Sequence, residues 1–449
     1  MESVLLVTVD SLRADHVGYH GYERETTPYL DELVERASTF SNAYVPVGGT
    51  RYAFPSILSS VTPLDHGGHD RVAGSQTLVS EVFAEAGYRT GGFHSNLFLS
   101  AERGYDRGFD AFFDSKDDPS LTTRLRSFAR TNLQGTPVYP LLQRAYDRVE
   151  SSGGVNVGSF HVRGDELTDR ALAWLDAAAD DPPFFLWVHY MDVHHPYLPP
   201  ATDQRRFRDA VVGDREAVTL RRKAVDRPGD LTKAELATLV DLYDAEIRFT
   251  DRQVERLVET ARDRLDDLTV AVTADHGEHF LEHGSFSGAR ASDVKCHVPL
   301  LVDGWDDAGD YDALVGLCDL PPTLLDAAGL ESPASYRGES LAGLVGDGDW
   351  ERESVVGGWA DDDGRTYVYR DDRWTFVERP GDSPDELYDR DADPGEQHDV
   401  AGDHPDRVTA FATRLDEHRA EIRATETDLD GVATDAETVE RLRRLGYRE

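Results

Sequence analysis

The feature that most constrains the fold of this chain is the alternation of short apolar runs with helical patterns. Each apolar run is bounded by turn residues and followed by a segment with helical periodicity, which is the pattern of buried strands in a parallel sheet. The runs lie at 3–9, 88–93, 183–190, 268–274 and 299–302, and helices are predicted at 28–37, 80–86, 165–178 and 233–261. This order predicts an α/β fold in which a doubly wound sheet carries helices on both faces.

Length and composition suggest how the chain is divided. Its 449 residues leave room for two or three domains. An alternating hairpin pattern at 366–377 indicates a small antiparallel α+β subdomain. We therefore predict a main α/β domain over 1–345, with insertions at about 115–157 and 200–230, and a C-terminal subdomain over 346–449 that ends in an amphipathic helix at 436–445.

Charge is the unusual part of the composition. The chain has 86 acidic and 47 basic residues, a net charge of −39, and its acidic residues are spread along the whole length. Such a surface repels itself at low ionic strength, and it is typical of halophilic proteins that work in concentrated salt. The same charge disfavours nucleic acid and anionic membranes as partners.

The sequence also bears on the compartment. No run approaches the ~20 apolar residues of a membrane span, and the N-terminus lacks the basic lead and cleavage site of a secretory signal. Cys296 and Cys318 are too few for a disulfide framework. These features predict a cytoplasmic protein and leave its oligomeric state open.

Polar side chains follow four of the predicted strands. They are Asp10 after the first, His94 and Asn96 after the second, His194 after the third, and Asp275, His276 and His283 after the fourth. Because open α/β sheets bind ligands at the carboxyl ends of their strands, we expect these residues to meet at one edge. Asp10, Asp275 and His276 offer oxygen and nitrogen ligands for one divalent ion: Ca, Mn, Mg or Zn. His189, Asp192 and His195 form a less favoured second set, for which ordinary hydrogen bonding is the expected alternative.

A candidate nucleophile is Thr50. It follows Gly48 and Gly49, which let the backbone approach an anion, and it precedes a predicted helix. Its hydroxyl would then face the positive end of that helix and lie next to a bound cation. The alternative is that Thr50 is only an N-cap threonine, and the segment alone leaves both possibilities open.

Several motifs occur in the order of a known family. The segments VDSLR at 9–13, FPSILSS at 54–60, MDVHHPY at 191–197 and TADHGE at 273–278 resemble the sulfatase family of the alkaline-phosphatase superfamily. The resemblance implies an ester hydrolase in which Asp10, Asp275, His276 and Thr50 hold the metal. It also implies that Thr50 is the nucleophile, His283 the proton donor, and His194 a substrate-binding or alternative acid–base residue. Substrate contacts are implied for Arg13 and Asn96. Arg51 and Arg290 are further candidates for substrate contact, as the nearest replacements for an arginine and a lysine that the family has at positions 54 and 288.

This chain departs from the family pattern at the nucleophile. Sulfatases carry Cys or Ser there and oxidise it to formylglycine, whereas oxidation of Thr50 would give a ketone. Phe54, Ser11 and Gly288 also replace residues that the family uses near the site. We therefore expect hydrolysis of a phosphate-type ester (monoester, diester or phosphonate) or of a sulfate ester, carried by a small molecule or derived from a glycan or lipid. The alternatives are a true sulfuric ester hydrolase, a phospho-group transferase and a non-catalytic superfamily member.

Overall fold

A computed structural model describes residues 2–62, 71–115, 161–177, 183–265, 267–286, 291–305, 308–346, 350–361, 364–381 and 383–423. Most of the predicted insertion at 115–157, the predicted terminal helix and Arg290 lie outside these residues. Among the residues that are described, no helix is both long and apolar enough to cross a membrane.

Strands and helices alternate as expected along the first part of the chain. The strands are β1 (Ser3–Val9), β2 (Ser38–Phe40), β3 (Ala43–Tyr44), β4 (Arg89–His94), β5 (Ala111–Phe113), β6 (Phe184–Tyr190), β7 (Leu268–Ala274), β8 (Leu300–Asp303), β9 (Asp310–Tyr311), β10 (Val315–Gly316), β11 (Val355–Asp361), β12 (Gly364–Arg370), β13 (Trp374–Glu378) and β14 (Glu386–Asp389). The α-helices are α1 (Pro28–Leu33), α2 (Thr50–Ser59), α3 (Val79–Glu85), α4 (Gly164–Asp176), α5 (Ala201–Phe207), α6 (Asp214–Asp226), α7 (Lys233–Arg262), α8 (Asp293–Cys296), α9 (Leu320–Ala327), α10 (Ala342–Val345) and α11 (Pro405–Arg423).

The central sheet has eight strands in the order β5-β4-β6-β1-β7-β8-β2-β9. Strands β5, β4, β6, β1 and β7 run parallel, so their carboxyl ends meet at one edge. The run predicted at 299–302 as a further parallel strand is β8, which pairs antiparallel to β7. The prediction of its direction was wrong: Thr273 pairs with Leu300, so β8 begins at the carboxyl edge where β7 ends, and among the described residues between the two strands the one helix is the four-residue α8.

Both faces of the sheet are covered by helices, which confirms the predicted fold class. Side chains of β1 alternate between the two cores: Val4 and Leu6 belong to one, and Leu5 and Val7 to the other. Helices α2, α3 and α9 contribute to the first core, α1 and α4 contribute to the second, and the long helix α7 contributes to both. The sheet is therefore buried on both sides, as parallel strands require.

A second sheet follows in the C-terminal part of the chain. Strands β11 to β14 form an antiparallel meander, with the predicted hairpin as its β12–β13 pair. One face packs on α11 through Phe376 and Phe411. The other packs through Trp359 on Val47 and Tyr52, which lie on either side of Thr50. The C-terminal sheet therefore supports the start of α2, while the boundary predicted at 345 stays a prediction.

Candidate active site

Two aspartates meet at the carboxyl ends of neighbouring strands. Asp10 follows β1 and Asp275 follows β7, and these strands pair in register from Ser3–Leu268 to Val9–Ala274. The backbone N–H of Ser11 donates to Asp275 Oδ1 (3.1 Å), which fixes that carboxylate beside the end of β1. Both aspartates are fully buried. The sheet register thus places two carboxylates together although their positions are far apart in the sequence.

His276 completes the cluster. Its Nε2 lies 3.8 Å from Asp10 Oδ1 and 3.7 Å from Asp275 Oδ2. The Nδ1–H of His276 donates to the Gly277 carbonyl (2.7 Å), so Nε2 presents a lone pair to the carboxylates. One ligand atom from each of the three residues lies within 4.8 Å of the others.

The electrostatics of the cluster fit a divalent cation. Burial alone would raise the pKa of Asp10, but the charge of His194 and the hydrogen bond with His189 hold it well below its usual range. Burial and then the charge of Asp10 raise the pKa of Asp275, whose Oδ2 has no hydrogen-bond partner among the described residues. Burial lowers the pKa of His276 to about 4, which leaves a neutral ring suited to metal binding. Two buried carboxylates and one imidazole are a ligand set that suits such an ion.

A row of buried polar contacts from Trp187 through Thr8 and His189 leads to Asp10. Trp187 Nε1–H donates to Thr8 Oγ1 (3.0 Å), and Thr8 Oγ1 lies 3.0 Å from His189 Nδ1. The other ring nitrogen of His189, Nε2, faces Asp10 Oδ2 at 3.4 Å. Such outer hydrogen bonds fix the orientation of a ligating carboxylate.

Thr50 lies against the same cluster. Its Oγ1 donates to Asp10 Oδ2 (3.4 Å), and Asn96 Nδ2 donates to Asp10 Oδ2 (2.9 Å) and to Thr50 Oγ1 (3.5 Å). Gly49 is the N-cap of α2 and Thr50 its first residue, with Gly49 at φ 153°. The Thr50 hydroxyl is thus directed to the carboxylate cluster, and the N-cap alternative is wrong.

The two candidate acid–base histidines have different surroundings. His194 is buried, and its Nδ1–H donates to the His195 carbonyl (2.7 Å), so Nε2 is left as an acceptor. Burial lowers the pKa of His194, while the charges of Asp10 and Glu278 act in the opposite direction. His283 is half-buried, with its ring centroid 5.4 Å from that of His279.

Arg13 and Arg51, both predicted to contact substrate, have different surroundings. The Arg13 guanidinium is buried and forms ion pairs with Asp15 (2.7 Å) and Glu282 (2.5 Å). Arg51 follows the nucleophile directly, and its guanidinium carbon lies 5.0 Å from the centre of the Phe98 ring. Their contact with substrate stays a prediction.

The structure also brings in residues that sequence reasoning missed. Lys295 Nζ donates to Glu278 Oε1 (3.2 Å), and both side chains are buried. The charge of Lys295 acts on His276, so this pair lies near the candidate metal ligands. Arg221 of α6 donates to His195 Nδ1 (3.2 Å), so the predicted insertion at 200–230 reaches the same region. The sequence feature that could have pointed to Lys295 is its position inside the apolar segment 294–302, in a chain with few lysines.

Comparison with known proteins adds family information. The sequence model of the Sulfatase family matches residues 2–330, and that of the C-terminal region of N-sulphoglucosamine sulphohydrolase matches 281–424. Arylsulfatase K of Canis lupus familiaris is 23% identical over 92% of this chain and 81% of its own length. An arylsulfatase of Clostridium perfringens is 23% identical over 88% of this chain and 89% of its own length.

Solved structures share the fold. A phosphonate monoester hydrolase of Agrobacterium radiobacter superposes with a TM-score of 0.72 at 20% identity, covering 94% of this chain and 96% of its own. A protein solved in complex with its substrate D-glucosamine-2-N,6-O-disulfate superposes with a TM-score of 0.71 at 18% identity, covering 94% and 98%.

Proposed function

This chain belongs to the sulfatase family, whose members are ester hydrolases, and we propose that it cleaves a phosphate-type ester with Thr50 as the nucleophile and one divalent ion as cofactor. The substrate is an anionic monoester, diester or phosphonate carried by a small molecule or derived from a glycan or lipid. The observation that carries the proposal is the threonine hydroxyl 3.4 Å from Asp10 Oδ2, beside the cluster that fits the metal.

The threonine itself favours phosphorus over sulfur. It is a secondary alcohol, so it cannot become the aldehyde that lets a sulfatase release sulfate by elimination. A sulfated threonine would need direct attack by water on sulfur, whereas a phosphoryl ester of threonine is open to direct attack by water on phosphorus. The fold is similar to both a phosphonate monoester hydrolase and a protein solved with a sulfated substrate, so the preference for phosphorus depends on Thr50.

The chain's own residues prepare the nucleophile. Asp10 Oδ2 accepts the Thr50 hydroxyl hydrogen bond, and Asn96 Nδ2 donates to both groups, which holds Oγ1 at the start of α2. The positive end of that helix favours negative charge on Oγ1. A divalent ion held by Asp10, Asp275 and His276 would supply a lowered pKa for the hydroxyl and offset charge on the ester oxygens.

Proton transfers accompany both halves of the reaction. As the Thr50 Oγ1–phosphorus bond forms, the Thr50 hydroxyl proton passes to solvent water, the bond from phosphorus to the ester oxygen breaks, and protonated His283 gives its proton to the leaving alkoxide. Water next attacks phosphorus and gives one proton to a histidine, and as the bond to Oγ1 breaks, that histidine passes the proton to Oγ1 and restores the hydroxyl. The unprotonated Nε2 of His194 suits the base in this second half.

The proposal is tested with a substrate panel. An aryl phosphodiester, an aryl phosphonate monoester and an aryl sulfate are each assayed with Mn²⁺, Ca²⁺, Mg²⁺ or Zn²⁺. We expect the phosphorus esters to be turned over faster, Thr50→Ala to lose several orders of magnitude in kcat, and Thr50→Ser to keep part of it. Ser59→Ala, on the far end of α2, is the matched control. An unchanged rate in Thr50→Ala would refute the nucleophile assignment.

Sulfate ester hydrolysis is the second candidate. It is supported by the arylsulfatase relatives and by the match of 281–424 to the C-terminal region of N-sulphoglucosamine sulphohydrolase. Faster turnover of the aryl sulfate than of either phosphorus ester would select this candidate while leaving the site assignment in place.

A further inference from the structure

Helix α6 carries an arginine on its buried face. Ala217, Arg221 and Ala224 lie three or four residues apart, so they share one face of the helix. The two alanines belong to the first core, and Arg221 is only 7% exposed. A guanidinium keeps its charge when it is buried, so its N–H groups need acceptors inside the molecule. The segment 200–230 therefore makes a polar contact in the interior at this point.

The acceptor is the imidazole of His195, which lies beyond the end of β6. Arg221 Nε and Nη2 each lie 3.2 Å from His195 Nδ1. Because a guanidinium can only donate, Nδ1 is the unprotonated nitrogen of the ring. Burial lowers the pKa of His195 well below its usual range, and the charge of Arg221 acts in the same direction. His195 is therefore held as the neutral tautomer that carries its proton on Nε2.

The protonated edge of this ring faces a carboxylate. His195 Nε2 lies 3.9 Å from Glu278 Oε2, and Lys295 Nζ donates to Glu278 Oε1 (3.2 Å). All three side chains are buried. One carboxylate thus has the Lys295 cation on one side and the neutral ring, backed by Arg221, on the other. A protonated His195 would put a further buried cation next to Arg221, which is unfavourable in the interior.

The His195 ring also lies against the candidate base. The ring centroids of His194 and His195 are 4.3 Å apart, and that of Phe286 lies 6.0 Å from His195 on a further contact. His194 Nδ1–H donates to the His195 carbonyl (2.7 Å), which leaves His194 Nε2 as an acceptor. The position of His195 therefore determines both a ring contact and a hydrogen bond of His194.

We propose that Arg221 is a positioning residue, which fixes the tautomer and ring orientation of His195 and, through His195, the imidazole of His194. This inference rests on the proposed function, in which His194 is the base that activates water. A helix of the segment 200–230 thus supports the second half of the reaction. The first half, which uses Thr50 and His283, does not depend on this contact.

Nuclear magnetic resonance of the full chain labelled with ¹⁵N-histidine reads the tautomer directly. We expect an unprotonated Nδ1 and a protonated Nε2 for His195, whose signals are identified by their loss in His195→Gln. Arg221→Met removes the donor and should mix the two tautomers, whereas Arg221→Lys keeps a donor and should restore the first. Arg222→Met removes the same charge from an exposed position of α6 and should change nothing.

Rapid-mixing kinetics with the metal-loaded protein locate the affected step. An aryl phosphodiester releases its aryl alcohol in the first half and needs water in the second. In Arg221→Met, the first turnover should keep the rate of the unmodified chain, while later turnovers slow by up to about 100-fold because the base is displaced. Arg221→Lys should recover part of the later rate, and Arg222→Met should match the unmodified chain throughout.

Three results would overturn the proposal. A protonated Nδ1 of His195 in the unmodified chain does so whether or not a variant folds. The others are an Arg221→Met chain with the tautomer and later turnovers of Arg222→Met, and equal losses in the first and later turnovers, which indicate a purely structural role. Failure of the proposed function is seen separately, as an unchanged kcat in Thr50→Ala, and the tautomer measurement then still decides whether Arg221 positions His195.

Discussion

At the scale of single residues, the account depends on Asp10, Asp275 and His276 holding one divalent ion together. Asp275→Asn keeps the shape of the side chain but removes one of the two negative charges that face His276. We expect lower metal content and a lower kcat, measured by elemental analysis of the dialysed protein and by turnover. Asp312→Asn, at an exposed position, is the control and should change neither. Full activity after exhaustive chelation would contradict a metal-dependent site.

Asn96 gives a second prediction at this scale. Its Oδ1 caps the backbone N–H of Phe98 (2.9 Å), while its Nδ2 donates to Asp10 and Thr50. Asn96→Asp keeps the cap but loses the donor and adds a charge beside Asp10. We expect kcat to fall by roughly 100-fold in a protein that still folds, although the added buried charge lowers the unfolding midpoint. A large loss of stability without a selective loss of kcat would instead make Asn96 a structural residue.

The sequence could predict which site residues follow the ends of strands. Asp10 and Asp275 each follow an apolar run, and parallel strands bring such positions to one edge. The Lys295–Glu278 pair and the Arg221–His195 contact could not be predicted, because each joins segments whose approach is set by loops rather than by strand register. A lysine in an apolar run shows that it is buried but not which carboxylate it meets.

At the scale of elements, the first turn of helix α1 is capped by a residue that is distant in the sequence. Thr27 precedes α1 but makes no side-chain cap. Instead, Asp251 of α7 accepts from the backbone N–H groups of Tyr29 (3.0 Å) and Leu30 (3.1 Å). These are N–H groups of the first turn, which have no partner within the helix. The Asp251 carboxylate therefore links α7 to the first turn of α1.

This contact predicts a pH dependence of stability. Burial raises the pKa of Asp251 from 3.8 to about 7, against the opposing effect of its backbone hydrogen bonds. The folded state therefore keeps a proton between about pH 4 and 7 that the unfolded state releases. The contribution of Asp251 to the free energy of unfolding falls as pH rises through this window and is constant above it.

Asp251→Asn removes that titration. The free energy of unfolding of Asp251→Asn minus that of the unmodified chain should rise from pH 5 to 7 and then level off, as measured by urea unfolding. Asp263→Asn, at the exposed end of the same helix, should show no such rise. A flat difference for Asp251→Asn would mean that this carboxyl is ionised throughout.

Element positions could be predicted better than element directions. The apolar runs located β1, β4, β6 and β7 to within a residue at each end, because buried parallel strands are continuous apolar segments. The direction of β8 was predicted wrongly, since an apolar run of four residues looks the same in either direction. The pairing of Thr273 with Leu300 decides it, because it places the start of β8 at the carboxyl edge where β7 ends.

At the scale of the whole molecule, the net charge of −39 predicts the response to salt. Screening relieves repulsion among the acidic residues, so the unfolding midpoint should rise from low salt into the molar range with NaCl or KCl. Calorimetry across a salt series measures this. A midpoint that is flat or falls over that range would contradict the halophilic interpretation of the composition.

The central claim is that Thr50 forms the covalent intermediate, and acid quenching during turnover tests it most directly. Mass spectrometry of the peptide that contains Thr50 should show an unmodified threonine before substrate is added. After turnover of an aryl phosphonate or phosphodiester, it should show the mass of the transferred phosphorus group on Thr50, absent in Thr50→Ala. A peptide that stays unmodified under rapid turnover, or an adduct on another residue, would contradict the account.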